Sequence, residues 1–149
     1  KDITIKMELP QNAITIHGLE KQLSQVLENL VTNAQSFCHA GGHIRIRIKL
    51  QTDTSLTVIE DTGPGFPAGT LEKIFDRFNS DQTNDAFGAH LGLSLSISKK
   101  GVEAHGGVIS AENITSEFPK GEESDGLGAR LLVGLPQVYR ETTISMGIT

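Results

Sequence analysis

Two asparagines four residues apart, Asn29 and Asn33, are the first side chains in this sequence whose type and spacing could do chemistry. On a helix they fall along one line. An amide oxygen is a hard, neutral donor, suited to facing a metal or a phosphate. Two surface amides satisfied by water would look the same. The second candidate is Glu60-Asp61-Thr62-Gly63-Pro64-Gly65, a carboxylate at a strand end with glycines two and four residues on. A carboxylate accepts hydrogen bonds and the exocyclic amine of a purine donates one. The glycines let a flat ring approach with no Cβ in the way, although a plain turn has the same composition. The third is Gly88-Ala89-His90-Leu91-Gly92-Leu93-Ser94-Leu95, a lead into a helix whose unpaired first amides suit a phosphate. No Gly-x-x-x-x-Gly-Lys-Ser/Thr phosphate loop occurs in the chain.

These residues need elements to hold them. Leu19, Leu23, Val26, Leu27, Leu30, Val31 and Ala34 recur at helical spacing and predict a helix over 19–37, with the asparagines at the edge of its apolar stripe. Ile3, Ile5, Met7 and Leu9, then Ile14 and Ile16, alternate with polar residues and predict two strands, each with one buried face. Ile44, Ile46, Ile48 and Leu50 alternate with Arg45, Arg47 and Lys49, a half-exposed strand whose basic row reads as a solvated face. A turn at Asp53 and Thr54 joins it to a strand over 56–59 as an antiparallel hairpin. Leu71, Ile74, Phe75 and Phe78 predict a short helix, and the polar, breaker-rich stretch 79–90 a mobile loop. A weaker helix follows over 93–105, with Gly101 costing it about 1 kcal/mol against alanine. Strands over 108–111 and 130–135 flank a charged loop at 116–128, and 137–149 has no assigned element. Adjacent strand pairs favour an α+β fold, a two-layer sandwich of a mixed, mostly antiparallel sheet on about three helices, over a doubly wound parallel sheet.

The bulk numbers narrow the function. The 149 residues suffice for one domain, expected over 1–149. Thirteen Lys plus Arg against 18 Asp plus Glu give a formal charge of −5, which argues against nucleic acid as a partner. One cysteine, Cys38, excludes an internal disulfide framework and fits a reducing compartment. No apolar run reaches the roughly 18 residues of a membrane span, and no signal-peptide pattern opens the chain. Because the sequence starts inside what reads as a strand, it is expected to be a piece of a longer protein. No His/Cys cluster has zinc spacing.

The order and spacing of the three candidates say more than any one of them. Here the chain resembles the catalytic and ATP-binding domain of sensor histidine kinases, in the ATPase/kinase superfamily that includes gyrase B and Hsp90. Gln25-Val26-Leu27-Glu28-Asn29-Leu30-Val31-Thr32-Asn33-Ala34 resembles its N box, Asp61-Thr62-Gly63-Pro64-Gly65 its G1 box and Ile74-Phe75-Asp76-Arg77-Phe78 its F box. Leu91-Gly92-Leu93-Ser94-Leu95-Ser96-Ile97-Ser98-Lys99, with Val102-Glu103-Ala104-His105-Gly106-Gly107 behind it, resembles the G2 box and its helix. The resemblance covers 19–136, nearly the whole chain. Asn33-Ala34-Gln35-Ser36-Phe37, Phe87-Gly88 and Gly128-Ala129-Arg130 resemble more closely the ChvG-type envelope-sensing kinases of alphaproteobacteria.

The resemblance implies the Bergerat fold, the cofactors ATP and Mg²⁺, and a role for each motif residue. Asn33 would ligate Mg²⁺ and Asn29 would support the same phosphate–metal cluster, the two forming the catalytic pair. Gyrase and Hsp90 carry a water-activating glutamate at the Asn29 place; an amide there suits transfer to a protein side chain. Asp61 would hold the adenine amine, Gly63 and Gly65 would line the ring, and Phe37 would pack against it. Gly92, Leu93 and the helix start would meet the phosphates, while Phe75 and Phe78 would anchor the lid. The implied partners are the dimerisation and histidine-phosphotransfer domain of the same receptor, outside this stretch, and a response regulator. No nucleic acid and no direct membrane contact are implied for this piece, the cytoplasmic domain of an inner-membrane sensor kinase.

The chain departs from the family pattern at three places. His90 and Ser94 replace two of three G2 glycines, Ser36 stands where a basic residue is common, and Gly101 stands for a bulky apolar residue. These departures imply weaker nucleotide binding or a lid that closes poorly. Two other readings therefore stay open: a non-catalytic binding or regulatory module with the same fold, and a serine kinase of the anti-sigma-factor type. Val102-Glu103-Ala104-His105-Gly106-Gly107 favours the sensor-kinase branch over the latter. His17, His39, His43, His90 and His105 are not read as phosphoacceptors, and His105 is expected to cap a helix end.

Overall fold

The computed structural model describes residues 2–66, 69–71, 73–76, 86–114 and 128–137, with 86–93 described by their backbone. The elements are β1 (Thr4–Glu8), α1 (Glu20–Phe37), β2 (His43–Gln51), β3 (Thr54–Asp61), α2 (Ala86–Ala104), β4 (Val108–Ile114) and β5 (Gly128–Pro136). The strands form one sheet in the order β1-β2-β3-β5-β4. β1 and β2 run parallel and every other neighbouring pair antiparallel. With α1 and α2 packed on the sheet, this is a two-layer α+β sandwich with a mixed, mostly antiparallel sheet.

Period-two alternation builds the core face. Ile46 lies opposite Ile59, Ile59 opposite Leu131, and Ile109 opposite Val133. Against these pack Val26, Leu30 and Ala34 of α1 and Leu95 and Val102 of α2. Each fully buried aliphatic side chain contributes about 1.5–3 kcal/mol. Gly101 has a packing role in this layer. A Cβ there would lie 2.9 Å from Val26 Cγ2, so its missing side chain lets α2 approach α1 closely.

Several elements differ from what periodicity predicts. Leu19 is the N-cap of α1, and with Leu27 it faces solvent; the buried stripe is Val26, Leu30, Asn33 and Ala34. It thus includes one of the asparagines. β1 is exposed throughout, with Ile5 at 43% and Met7 at 57%. It is one of the two edge strands, and the helices pack over the other side of the sheet, α1 on β3 and α2 on β4 and β5. Ile16 makes a single bridge to Gln137 in place of the expected second strand. Its would-be partner β5 ends at Pro136, which has no N–H to extend a ladder.

The predicted short helix is instead a pair of turns among the described residues, with Lys73 N–H bonded to the Thr70 carbonyl (2.8 Å) and Asp76 N–H to that of Lys73 (3.0 Å). These three-residue steps never continue into four-residue ones, so two helices replace the expected three among the described residues. Arg77 and Phe78 lie outside the described residues. So do 79–85 of the expected loop, the connection at 116–127 and the segment 138–149. Residues 86–90, expected in that loop, are helical: α2 starts at Ala86 rather than 93. Gly88 and Gly92 cost a helix about 1 kcal/mol each, and Ala86, Ala89, Leu91 and Leu93 around them are good helix formers.

Candidate functional site

A narrow cavity of about 10 Å³ lies between α1, the ends of β3 and β5, and α2, lined by Asn33, Ala34, Phe37, Ile59, Asp61, Phe66, Leu95, Ala129 and Leu131. Four of the sequence candidates bear on it. Asn33 and Phe37 come from α1, Asp61 from the last position of β3, and Gly63 begins the turn behind Asp61. Strand register sets this arrangement, because Asp61 pairs with Ala129 on one side and Ile44 on the other.

Asp61 is only 5% exposed. Its Oδ1 accepts the Gly63 N–H at 2.8 Å. Burial pushes the Asp61 carboxyl above its ordinary value of 3.8, while hydrogen bonds from the backbone of Gly63 and Ala129 and the interaction with His39 act the other way. The two glycines of the turn are needed where they stand. A Cβ on Gly63 would lie 2.7 Å from the Phe37 carbonyl oxygen, and Gly65 has φ +78 with Asn113 Oδ1 2.8 Å from where a Cβ would be. Backbone therefore runs in direct contact with its neighbours at both glycines, beside the narrow slot that the buried carboxylate lines.

Sequence reading missed the groups that hold this turn. Asn113 of β4 clamps Phe66 from both sides, accepting its N–H at 2.7 Å and donating to its carbonyl at 3.0 Å. Thr62 accepts the His43 N–H at 2.9 Å and ties the turn to β2. No motif marks Asn113, which is distant in sequence and brought there only by strand order; Thr62 lies within the 61–65 motif, where the sequence assigns it no role of its own. Asn113→Ala removes both bonds to Phe66. It is expected to lower unfolding free energy by about 2 kcal/mol and to weaken ligand binding at the slot. Urea titration and calorimetry measure the two effects, and Asn113→Asp, which keeps the acceptor, should lose about half as much.

The structure separates the asparagine pair. Asn33 is buried at 6% and its Nδ2 donates to Ser94 Oγ of α2 at 3.4 Å. Asn29 is half-exposed, and its Oδ1 accepts Gln25 Nε2 at 2.9 Å along the helix surface. Gly92 and Leu93 lie inside α2, six or more residues past its start, so they are not its free first-turn amides. His105 caps as expected, though across helices. Its Nε2 accepts the Leu19 N–H at 3.0 Å while Nδ1, carrying the proton, donates to the Gly101 carbonyl at 2.7 Å. No group of three His, Cys, Asp or Glu side chains able to hold a metal exists among the described residues. The donor set at the cavity is one amide and one carboxylate. These are an acceptor suited to an exocyclic amine and a neutral oxygen donor suited to a hard cation, in a cavity the size of about one water.

Comparison with known proteins agrees with this geometry. A profile of the Histidine kinase-, DNA gyrase B-, and HSP90-like ATPase family matches residues 18–138. Sensor protein ChvG of Agrobacterium fabrum is 36% identical over 128 residues, 85% of this chain and 21% of that protein. Sensor histidine kinase WalK of Bacillus subtilis is 35% identical over 136 residues, 89% of this chain and 20% of that protein. The chain thus spans about a fifth of the length of these relatives. Among solved structures, the mycobacterial sensor histidine kinase MprB superposes with a TM-score of 0.74 at 25% identity, covering 91% of this chain and 84% of that one. The catalytic domain of histidine kinase ThkA gives 0.73 at 28%, covering 91% and 80%. Fold, motif order and these likenesses converge: the chain belongs to the histidine kinase-, DNA gyrase B- and HSP90-like ATPase family, and within it is similar to the ATPase domains of sensor histidine kinases.

Proposed function

We propose that this chain, as a single domain over 1–149, binds Mg²⁺-ATP between α1, β3, β5 and α2 and serves transfer of the γ-phosphate to a histidine on a separate dimerisation domain of the same receptor. The observation that carries the reading is one cavity with the buried Asp61 carboxylate on one wall and the buried Asn33 amide on another. Asp61 accepts the adenine amine, Gly63 and Gly65 admit the ring, and Phe37 packs on it. Asn33 offers its amide oxygen to Mg²⁺, with Asn29 one turn earlier at the rim and Gly92 and Leu93 toward the phosphates. Bound Mg²⁺ neutralises charge on the transferring phosphate. Asn29 has no ionisable group to take a proton from water, which favours transfer over hydrolysis. Full-length ShkA, 26% identical with a TM-score of 0.69, was solved in complex with AMPPNP.

The partners that follow are the receptor's own acceptor domain and a response regulator, with the chain working on the cytoplasmic side of an inner-membrane sensor. No described helix is long and apolar enough to cross a membrane. A second reading, nucleotide binding without transfer, is favoured by one observation: α2 is helical through Gly92 and Ser94, where free amides for phosphate were expected.

Calorimetry with ATP and GTP, with and without Mg²⁺, tests the proposal. ATP is expected to bind at least about tenfold more tightly than GTP and to tighten further with Mg²⁺. With labelled ATP the chain alone is expected to form no phosphohistidine, since the accepting histidine is proposed to lie on the separate dimerisation domain and not among the five histidines of this stretch. No ATP binding, equal binding of GTP, or phosphohistidine on the chain alone overturns the reading.

A further inference from the structure

We propose that the domain carries a second ligand site, apart from the nucleotide slot, which takes a small neutral aliphatic molecule bearing a hydroxyl or carbonyl group. The site is a cavity of about 400 Å³ between the first turns of α1, the segment 9–16 and the helix-facing side of the sheet. It shares no lining residue with the slot. The two lie at opposite ends of β3, where Ser55 and Thr57 line the cavity and Asp61 lines the slot. The proposal is therefore independent of the nucleotide reading.

Strand alternation points residues 55, 57 and 59 toward the helices. In register, Thr57 stands between Ile48 of β2 and Val133 of β5. Leu23 and Val26 of α1 form a facing wall. An aliphatic residue at 55 or 57 would complete this apolar surface; two hydroxyls stand there instead. Ser55 is 7% exposed and Thr57 5%. Neither hydroxyl has a hydrogen-bond partner among the described residues and neither is sealed off, so each opens into the cavity. A buried hydroxyl costs free energy until something bonds it. Water serves poorly here. The two positions are about 7 Å apart along the strand, too far for a single water to bridge. A water on either hydroxyl would face aliphatic walls, where it needs several polar partners to be held.

The lining sets the class of ligand. No charged or histidine side chain is among the described residues that line the cavity, so an ionised group would be buried unpaired. None of them is aromatic, so the walls suit an aliphatic chain and offer a ring no stacking partner. At about 30 Å³ for each water-sized group, the volume holds on the order of a dozen non-hydrogen atoms. A hydroxyl both donates and accepts, so an alcohol or a carbonyl on the ligand can satisfy it.

The test titrates 1-octanol, octanoate and octylammonium into the isotope-labelled chain and follows the signals by NMR. 1-Octanol is expected to shift those of Ile48, Thr57 and Val133 saturably, with a Kd of about 1 mM or lower. The two charged probes of the same length should bind at least about tenfold more weakly. Thr57→Val keeps the shape and deletes the hydroxyl. It is expected to weaken 1-octanol about fivefold while leaving the melting temperature unchanged or raised, because the hydroxyl it removes has no partner in the free protein. Binding by all three probes alike, or shifts at the exposed Ile97 and Val108 as large as those in the cavity, would mean non-specific association and overturn the proposal. So would the absence of saturable shifts or an unchanged affinity in Thr57→Val. A lowered melting temperature in that variant, or its failure to fold, would show the hydroxyl already bonded and remove the ground for the site.

Discussion

Asp61→Asn is expected to weaken ATP binding at least about tenfold and, at the same time, to raise the thermal stability of the domain at pH 7. The binding loss follows from chemistry. A charge-assisted hydrogen bond is worth about 1.5–3 kcal/mol, or roughly ten- to a hundredfold in affinity. Adenine offers an amine where guanine offers a carbonyl oxygen, so an amide that can turn its NH₂ to that oxygen should narrow the preference for ATP over GTP. The stability gain follows from burial. Because the folded state raises the Asp61 pKa above 3.8, the native protein holds that proton more tightly than the unfolded chain. Between those two values the group's contribution to stability falls as pH rises, and above the raised value the ionised carboxyl is a standing cost. Asparagine removes the buried charge and keeps an acceptor for the Gly63 N–H. Melting curves across pH should show the variant's advantage at neutral pH shrinking as pH falls into the ordinary carboxylate range. A destabilised variant at pH 7, or undiminished ATP binding, would contradict the assigned role.

The second large effect lies on the opposite face of the sheet. Glu60 Oε1 pairs with Arg47 Nη2 at 2.8 Å, and Oε2 with Arg130 Nη2 at 2.8 Å and Nε at 3.0 Å. Arg130 also donates to Glu112 at 2.6 Å. The side chains of Glu60 and Arg130 are 10% and 13% exposed, whereas Arg47 is 36% exposed. Removing one partner from a buried ionic group typically costs 3–5 kcal/mol. Glu60→Ala leaves two guanidinium groups without this carboxylate. We expect a loss of about 3 kcal/mol, since Arg47 can turn to water and Arg130 retains Glu112. Glu60→Gln should lose less, keeping acceptor geometry without charge. Urea unfolding reads both, and a change below about 1 kcal/mol for Glu60→Ala would show the network to be no stronger than a surface ion pair. Glu60 precedes Asp61 on β3, so this network also fixes the strand end that carries the slot.

Local pattern sufficed wherever an element buries one face against a helix or strand. The alternation of Ile44, Ile46 and Ile48, the helical spacing of Val26, Leu30 and Ala34, and the run closing at Pro136 each specify type and place, because side-chain direction repeats with a period of two or 3.6. The places of Asn33 and Asp61 follow for the same reason, each standing at a fixed point of such an element, with Gly63 and Gly65 in the turn that follows β3. What tertiary structure decided depends on strand order, which no local period encodes. That order makes β1 an exposed edge despite its apolar alternation, and turns Arg47 from a member of a solvated row into a partner of Glu60. It brings Asn113 from β4 onto Phe66. The packing of α2 on α1 then sets Ser94 against Asn33. Such contacts join residues far apart in the chain, and their geometry exists only once the sheet is paired and the helices are seated on it.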